Sequence, residues 1–209
     1  MNKLLIVGIS GVTNGGKSTL ALKLKELWTI SSIIHIDELT KPMNKLKYDS
    51  ILDYHNWDEV ETYDWERIKK EVTISSQNLL NSSRQLACLL NFYNLHEHHP
   101  ILFIEGILLF NSPIDEIFDI RIFFTLDKEE CWKRRKERVY EPPEPPGYFE
   151  KYCWPLYMFY KSELENKIKV DSSKSSNIPY NINFIKGDKA IDETLLWANK
   201  EIYTHLLNY

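Results

Sequence analysis

Lys17 and Ser18 stand at the end of a glycine-rich segment near the start of the chain. Residues 11–18, here called the phosphate loop, fit the spacing G-x-x-x-x-G-K-[ST], in which backbone N–H groups surround the phosphates of a nucleotide. In that arrangement the lysine reaches the β- and γ-phosphates, and the hydroxyl holds Mg²⁺. An ordinary glycine turn needs neither side chain, so the motif predicts a phosphate-binding site.

The residues on either side of the phosphate loop have the patterns that such a site requires. Residues 4–9 are apolar and branched, which predicts a buried strand, and residues 18–28 carry leucines at helical spacing. A loop between a strand and a helix directs its N–H groups and the positive end of the helix dipole at an anion. We therefore expect strand, loop and helix to form one anion site.

Two acidic residues, Asp37 and Glu105, each follow a predicted strand, at residues 32–36 and 101–104. Ligands of open α/β sheets bind beyond the carboxyl ends of the strands, where a carboxylate can accept a proton from an attacking hydroxyl or help to hold Mg²⁺. Asp37 could instead be a turn or capping residue, and Glu105 an exposed loop residue. Gly106 suggests a close backbone approach beside Glu105, which favours the site interpretation there.

A strongly basic stretch, residues 133–138, lies in a predicted helix at residues 127–140. On a helix, Arg134 and Arg138 share a face with Arg135 close by, and such arginines can close over a triphosphate and stabilise the transition state. A solvated helix face or a nuclear-targeting patch is the alternative. In a chain with a phosphate loop, we interpret the stretch as a basic lid.

Trp57 and Asp58 are a further candidate pair, in a polar segment without strong periodicity. The indole could stack on a flat ring, and the carboxylate could accept hydrogen bonds from sugar hydroxyls. The pair could equally be a small hydrophobic contact beside a surface carboxylate.

Composition limits the possible classes. The chain has 209 residues, of which 43% are hydrophobic, enough for one α/β core, so we expect a single domain over residues 1–209. A net charge of −4 disfavours nucleic acid as a partner. Cys88, Cys131 and Cys153 show no disulfide or metal spacing. No apolar stretch approaches the ~20 residues that span a bilayer, and no signal peptide is recognisable, so we expect a cytoplasmic protein with no membrane partner.

The rest of the chain alternates strands with helices. Further strands are predicted at residues 120–126 and 181–185, and further helices at residues 64–90 (with Asp64 as the N-cap), 154–168 and 190–207. The proline-rich residues 141–147 and the polar residues 172–177 are predicted loops. This alternation predicts a parallel sheet covered by helices on both faces.

Several longer motifs together resemble one family. They are GISGVTNGGKST (8–19), Asp37-Glu38 followed by Lys41-Pro42, FIEGILLFN (103–111), EEC (129–131), RR (134–135), RVYEPPEPPGYF (138–149) and WPLY (154–157). Over residues 4–165 the sequence resembles the nicotinamide riboside kinases, which belong to the uridine-kinase-like group of small-molecule kinases with a phosphate loop. The resemblance implies an α/β P-loop NTPase fold, with five parallel strands, flanking helices and a lid. It also implies transfer of the ATP γ-phosphoryl group to the 5′-hydroxyl of nicotinamide riboside, with nicotinic acid riboside as a further candidate.

The resemblance also assigns roles to residues of this chain. ATP would contact Gly11, Val12, Thr13, Asn14, Gly15, Gly16, Lys17, Ser18, Thr19, Arg134, Arg138, Val139, Tyr140, Asp188, Lys189 and Ala190. The nucleoside would contact Asp37, Glu38, Leu39, Thr40, Trp57, Asp58, Arg135, Tyr140 and Glu141. Mg²⁺ would be held by Ser18 and Asp37, and catalysis would rest on Asp37 as proton acceptor with Lys17, Glu105 and Arg134.

The chain departs from the family pattern at a few positions. Gly15 replaces a common serine and Ser18 a common threonine, which keeps the hydroxyl. Trp57 replaces a usual tyrosine and keeps an aromatic face, and Thr40 replaces a common aromatic residue. An aromatic face attracts the cationic pyridinium ring of nicotinamide riboside by about 0.5–2 kcal/mol, a contribution that uridine would lack.

Three alternative functions can be compared with the sequence at this point. One is a pyrimidine nucleoside kinase of the uridine type on the same fold. A nucleotide-dependent switch would need a guanine motif N-K-x-D or a D-x-x-G segment, and the sequence contains neither. An inactive nucleotide-binding module is disfavoured because Lys17, Ser18, Asp37 and Glu105 are all retained. The expected partners are a small nucleoside and ATP, and a monomer is the default oligomeric state.

Overall fold

The apolar run near the start of the chain forms the central strand of a parallel sheet. The computed structural model describes residues 3–89, 99–172 and 180–208, with the side chains of residues 87–89 and 172 left aside. In these ranges the strands are β1 (Leu5–Gly11), β2 (Ser31–His35), β3 (Tyr48–Asp49), β4 (Tyr54–His55), β5 (Ile101–Glu105), β6 (Ile120–Thr125) and β7 (Asn183–Lys186). The helices are α1 (Lys17–Leu27), α2 (Trp65–Leu89), α3 (Lys128–Lys136), α4 (Trp154–Ser172) and α5 (Ile191–Leu207).

The main sheet has five strands in the order β2-β5-β1-β6-β7, and every neighbouring pair is parallel. Its inner strands are buried on both faces, and all five residues of β5 are buried, as a parallel sheet between two helical layers requires. Val7 and Ile9 face a core shared with α1 and α5. Leu102 and Ile104 face a second core shared with α2 and α4.

The predicted sheet is confirmed, strand by strand, to within a residue or two at each end. The predicted N-cap of α2 is also confirmed, since the Asp64 carboxylate accepts the backbone N–H of Arg67 at 3.1 Å. Residue 90, the expected end of that helix, and residues 173–177 of the predicted polar loop lie outside the described residues, as does the side chain of Cys88. Among the described helices, none is long and apolar enough to cross a membrane.

Two helix boundaries differ from the prediction. The basic helix was expected to run to residue 140 but ends at Lys136, because an Arg138 N–H to Arg135 carbonyl bond closes a tighter final turn and the approach to Pro142 disfavours helical backbone at residue 141. Arg134 and Arg138 therefore do not share a helix face. The fourth helix runs on to Ser172 and is preceded by a π-helical turn, Phe149–Cys153. No sequence pattern signals that turn.

A short hairpin between β2 and α2 was not predicted. Its strands β3 and β4 pair antiparallel over two residues each, too few for an alternating pattern to appear in the sequence. Tyr54 of β4 donates its hydroxyl to the carbonyl oxygen of Pro142 at 3.0 Å. The hairpin thereby contacts the proline-rich residues 141–147, here called the proline segment.

The strand register places the carboxyl ends of β2 and β5 side by side at one edge of the sheet, beside the last residues of β1. Glu105, the last residue of β5, pairs in register with Ile9 on β1 and with His35, the last residue of β2. The phosphate loop leaves β1 at the same edge. Side chains from two neighbouring strand ends and from the phosphate loop therefore meet at this edge.

A close contact between glycines positions the phosphate loop. A Cβ atom on Gly187, just after β7, would lie 2.6 Å from the backbone oxygen of Gly15. We expect Gly187→Ala to lower stability by about 1–3 kcal/mol, the usual cost of overpacking, which calorimetry would record as a fall in Tm of roughly 2–10 °C. Lys186→Ala, at an exposed neighbouring position, is the control and should change stability by less than about 0.5 kcal/mol. Equal Tm values for the two variants would contradict this account of the loop.

Candidate active site

The phosphate loop adopts the backbone that its glycines permit. Gly11 and Gly16 have φ angles of 115° and 102°, in the region that favours glycine, and a Cβ on Gly11 would lie 2.2 Å from the carbonyl oxygen of Phe124. Gly16 is the N-cap of α1, with no side-chain cap on the helix N–H groups. These groups and the helix dipole are thus available to an anion.

Lys17 lies across the loop that precedes it. Its ammonium donates to the carbonyl oxygens of Val12 at 2.9 Å and Gly11 at 3.4 Å, and the residue is only 7% exposed. Burial lowers the pKa of Lys17, and the nearby carboxylates Glu105 and Asp37 oppose that change. The lysine is thus held where its charge can act on a phosphate in the loop.

Glu105 is a buried carboxylate with one oxygen occupied and one free. Its Oε1 atom accepts the Ser18 hydroxyl at 3.0 Å and lies 2.6 Å from His35 Nδ1. Its Oε2 atom is buried and has no hydrogen-bond partner, which is costly for a carboxylate unless a ligand completes it. The Ser18 hydroxyl and the unpartnered oxygen are the donors that a hard cation prefers.

The oxygen ligands at this edge of the sheet fit Mg²⁺. Among the residues that the structure describes, no three His, Cys, Asp or Glu side chains are placed so that they alone could hold a metal ion. Mg²⁺ needs only one or two carboxylates, because it completes its shell with water and phosphate oxygens. Ser18, Glu105 and Asp37 supply the hydroxyl and carboxylates. Gly106 explains how they approach each other, since a Cβ there would lie 2.2 Å from Ile36 Cγ1 and 3.5 Å from Asp37 Oδ1.

Asp37 lies in a short 3₁₀ turn, Ile36–Glu38, directly after β2. It lines a cleft that also includes residues of the phosphate loop and is described below. The buried Tyr63 donates its hydroxyl to Asp37 Oδ1 at 3.2 Å. Desolvation raises the pKa of Asp37 above its ordinary value; Lys17 opposes the rise and Glu105 adds to it. The Tyr63 hydrogen bond also opposes the rise. A raised pKa improves a carboxylate as a proton acceptor near neutral pH.

The basic segment covers the phosphate loop through two arginines. Arg135 donates to the Thr13 hydroxyl at 2.9 Å and forms a buried ion pair with Glu144 of the proline segment. Arg138 donates to the Asn14 side chain at 3.3 Å. The Tyr140 ring lies 4.7 Å from the Arg135 guanidinium and 5.2 Å from that of Arg138. The lid is thus fastened to the loop that would hold the phosphates.

Arg134 lies between the phosphate loop and the turn after β7. Its guanidinium pairs with Glu130 and donates to the carbonyl oxygens of Asn14 at 3.3 Å and Gly187 at 3.0 Å. In this position it links the phosphate loop to the turn after β7, and it does not line the cleft.

One cleft of about 710 Å³ brings most of the predicted residues together. Its lining includes Thr13, Asn14, Gly15, Gly16, Lys17, Ser18, Thr19, Asp37, Thr40, Trp57, Asp58, Arg135, Arg138, Val139, Tyr140 and Glu141. The predicted residues outside that lining are Gly11, Val12, Glu38, Leu39, Glu105, Arg134, Asp188, Lys189 and Ala190. Of these, Leu39 packs into the hydrophobic core and Asp188 lines a separate groove beside α4.

Four residues at the site were missed by the sequence analysis, namely His35, Tyr63, Glu144 and Tyr148. His35 directly precedes the turn that carries Asp37, and its position at a strand end was a usable signal. Glu144 and Tyr148 lie within the motif RVYEPPEPPGYF. Tyr63 lies beside the Asp64 cap, and nothing in its local pattern indicates that it reaches Asp37.

The fold and this cleft define a kinase with a P-loop, and the comparisons with known proteins narrow that class. A family model described as an AAA domain matches residues 7–154. Nicotinamide riboside kinase 1 of Mus musculus is 35% identical over 98% of this chain and 96% of its own length, and that of Rattus norvegicus is 39% identical over 78% and 82%. The chain belongs to the nicotinamide riboside kinase family.

A solved structure supports the fold alone. Thymidylate kinase from Candida albicans matches with a TM-score of 0.50 and 16% identity, over 98% of this chain and 94% of that one. At this identity the likeness concerns the arrangement of sheet and helices, which the strand order given above describes independently.

The Tyr63–Asp37 contact yields a pH prediction. The phenol stabilises the carboxylate form, so Tyr63→Phe removes an influence that lowers the pKa of Asp37 and leaves that pKa higher. Activity that needs the carboxylate is lost as the pH falls through this pKa. We therefore expect the acidic limb of the kcat profile for nucleoside phosphorylation to move to higher pH.

Tyr180→Phe is the matched control for this measurement, because that phenol donates to Asp115, an aspartate that does not line the cleft, at 2.9 Å. It should leave the acidic limb where the wild-type protein has it. An acidic limb that is unchanged in Tyr63→Phe would contradict a role for this hydrogen bond.

Proposed function

We propose that this protein transfers the γ-phosphoryl group of ATP to the 5′-hydroxyl of nicotinamide riboside. The observation that carries the proposal is one cleft that joins the phosphate loop to Asp37, Trp57 and Asp58, in a chain of the nicotinamide riboside kinase family. Nicotinic acid riboside, which differs only in the acid group on the ring, is proposed as a second substrate. A single kinase domain over residues 1–209, a monomer and a cytoplasmic location likewise remain proposals.

The ATP side of the proposal rests on the phosphate loop and the lid. The N–H groups of residues 11–18 and the ammonium of Lys17 would neutralise the phosphates. Arg138, exposed at the mouth of the cleft and bound to Asn14, would add charge over the same loop. Arg134, which donates to the Gly187 carbonyl oxygen, would face ATP. Residues 188–190, in the turn after β7, would lie near the adenine.

The nucleoside side rests on an aromatic face and a carboxylate. Trp57 lines the cleft and offers a face to a flat cationic ring, and Tyr140 would border both the ATP and the nucleoside sites. Asp58 would accept hydrogen bonds from the ribose hydroxyls, and Arg135 lies beside the same wall. Thr40 and Glu141 complete the lining that we assign to the nucleoside.

In the proposed reaction, the 5′-oxygen of the nucleoside forms a bond to the γ-phosphorus, and the bond between that phosphorus and the bridging oxygen of ADP breaks. The proton of the hydroxyl passes to Asp37, whose raised pKa suits it to accept a proton. Lys17 stabilises the charge on the transferred group. A bound Mg²⁺ would neutralise phosphate charge, and Ser18, Glu105 and Asp37 are the residues that would hold it.

Removing the proposed base tests this scheme. We expect Asp37→Ala to lower kcat by roughly 10²- to 10⁴-fold, the usual contribution of general-base catalysis, with ATP binding largely intact. Glu116→Ala is the control, because Glu116 also lies in a short 3₁₀ turn and is acidic and exposed but does not line the cleft. A kcat for Asp37→Ala within twofold of that for Glu116→Ala would remove Asp37 from this role.

Substrate identity is tested by an ADP-release assay with nicotinamide riboside, nicotinic acid riboside, uridine and cytidine, each with and without Mg²⁺. We expect nicotinamide riboside to have the highest kcat/KM and expect no turnover without the metal. Trp57→Ala should lower kcat/KM for nicotinamide riboside by roughly 2- to 30-fold more than for uridine, because the cation–π attraction is lost. Trp57→Phe, which keeps an aromatic face, should recover most of the difference. A preference for uridine in the wild-type protein would favour the pyrimidine kinase alternative.

A further inference from the structure

Asp58 is the most enclosed of the carboxylates that we assign to the nucleoside. It is only 8% exposed, yet it lines the cleft. A buried carboxylate needs donors to compensate for lost water, and in this structure both of its oxygens have one. Tyr148 donates its hydroxyl to Oδ2 at 2.8 Å, and Cys153 directs its Sγ at Oδ1 at 3.3 Å.

The two donors come from one unusual turn. Tyr148 is the N-cap of the π-helical turn Phe149–Cys153, and Cys153 is its last residue. Hydrogen bonds in a π turn join residues five apart, and positions 148 and 153 have this separation. The turn thus directs both side chains at the same carboxylate. Single π turns within helices occur frequently at functional sites.

Tyr148 also fixes the backbone next to Asp58. Its hydroxyl oxygen accepts the N–H of Trp57 at 2.8 Å while its proton goes to Asp58; the Asn56 side-chain oxygen is farther away, at 3.4 Å. The phenol remains a donor at every working pH, since burial raises the pKa of Tyr148 far above its ordinary value and Asp58 adds to the rise. The ring is 1% exposed and packs edge-on against Tyr54, with centroids 5.1 Å apart.

We infer that Tyr148 is a positioning residue for the nucleoside site, holding the Asp58 carboxylate and the Trp57 backbone where they receive the ribose and the ring. Cys153 assists at the second carboxylate oxygen. This inference rests on the proposed function, because it takes the residues around Asp58 as the place where the nucleoside binds. It adds a residue that would act through Asp58 and not by touching the reacting atoms.

The test is Tyr148→Phe, which keeps the buried ring and removes only the hydroxyl. We expect KM for nicotinamide riboside to rise roughly tenfold or more, as for the loss of a hydrogen bond to a charged group, while KM for ATP and kcat stay within about twofold of the wild-type values. Cys153→Ala, which removes a weaker donor, should raise the same KM by a smaller factor. Titration calorimetry with nicotinamide riboside should show the same ranking in Kd.

Tyr152→Phe is the matched control. Tyr152 lies in the same turn, and its hydroxyl also donates to an aspartate, Asp49, which does not line the cleft. We expect it to leave both KM values unchanged. A rise in KM for nicotinamide riboside in Tyr152→Phe equal to that in Tyr148→Phe would show a general loosening of the turn and would overturn the inference.

A double-variant cycle shows whether Tyr148 acts through Asp58. In an Asp58→Asn background, Tyr148→Phe should cost much less in KM than it does alone. Equal losses in the two backgrounds, or a KM for nicotinamide riboside unchanged in the single variant, would overturn the inference.

The same cycle is run with uridine, because ribose hydroxyls are common to both nucleosides. If the wild-type protein phosphorylates uridine alone, the proposed function fails, and the uridine cycle still decides the role of Tyr148.

Discussion

The buried carboxylate of Glu105 is the group around which the site is arranged. It is the last residue of β5, it pairs in register with Ile9 on β1 and with His35 at the end of β2, and it is 3% exposed. One of its oxygens is occupied by Ser18 and His35, and the other has no partner. A carboxylate in this state is stable only beside positive charge. Lys17 lies close enough to contribute positive charge. A cation held by Ser18, Glu105 and Asp37 would add to it, and the phosphates of ATP would balance that charge.

A series of side-chain contacts connects the lid with the phosphate loop and with the proposed nucleoside site. Arg135 binds Thr13 of the phosphate loop and Glu144 of the proline segment, and its guanidinium lies 6.0 Å from the Tyr148 ring. Tyr148 in turn binds Asp58. Contacts therefore run without a break from the loop that would hold ATP to the carboxylate that would hold ribose. Such an arrangement positions two reactants relative to each other, which is the main contribution that a protein makes to phosphoryl transfer.

Local patterns in the sequence were enough to predict the sheet, the phosphate loop and the acidic residues at the strand ends. Apolar runs identify strands, and the topology of parallel sheets places Asp37 and Glu105 at one edge. Tyr63 and Tyr148 were not predictable, because their hydroxyls reach their partners only after α2 and the π turn have packed. The end of α3 was mispredicted because the tighter final turn closed by the bond from the Arg138 N–H to the Arg135 carbonyl oxygen has no signature in the helical spacing. The contacts of Arg134 were not predictable either, because its partners Asn14 and Gly187 are distant in sequence.

The central claim is that one cleft brings the γ-phosphoryl group of ATP to the 5′-hydroxyl of nicotinamide riboside. Its most direct test is product identification after incubation with Mg²⁺, nicotinamide riboside and ATP that carries ¹⁸O in the γ-phosphoryl group, using mass spectrometry and ³¹P NMR. The account predicts nicotinamide mononucleotide with the labelled phosphoryl group on the 5′-oxygen, formed in equal amount to ADP. Release of ADP without labelled mononucleotide would contradict it.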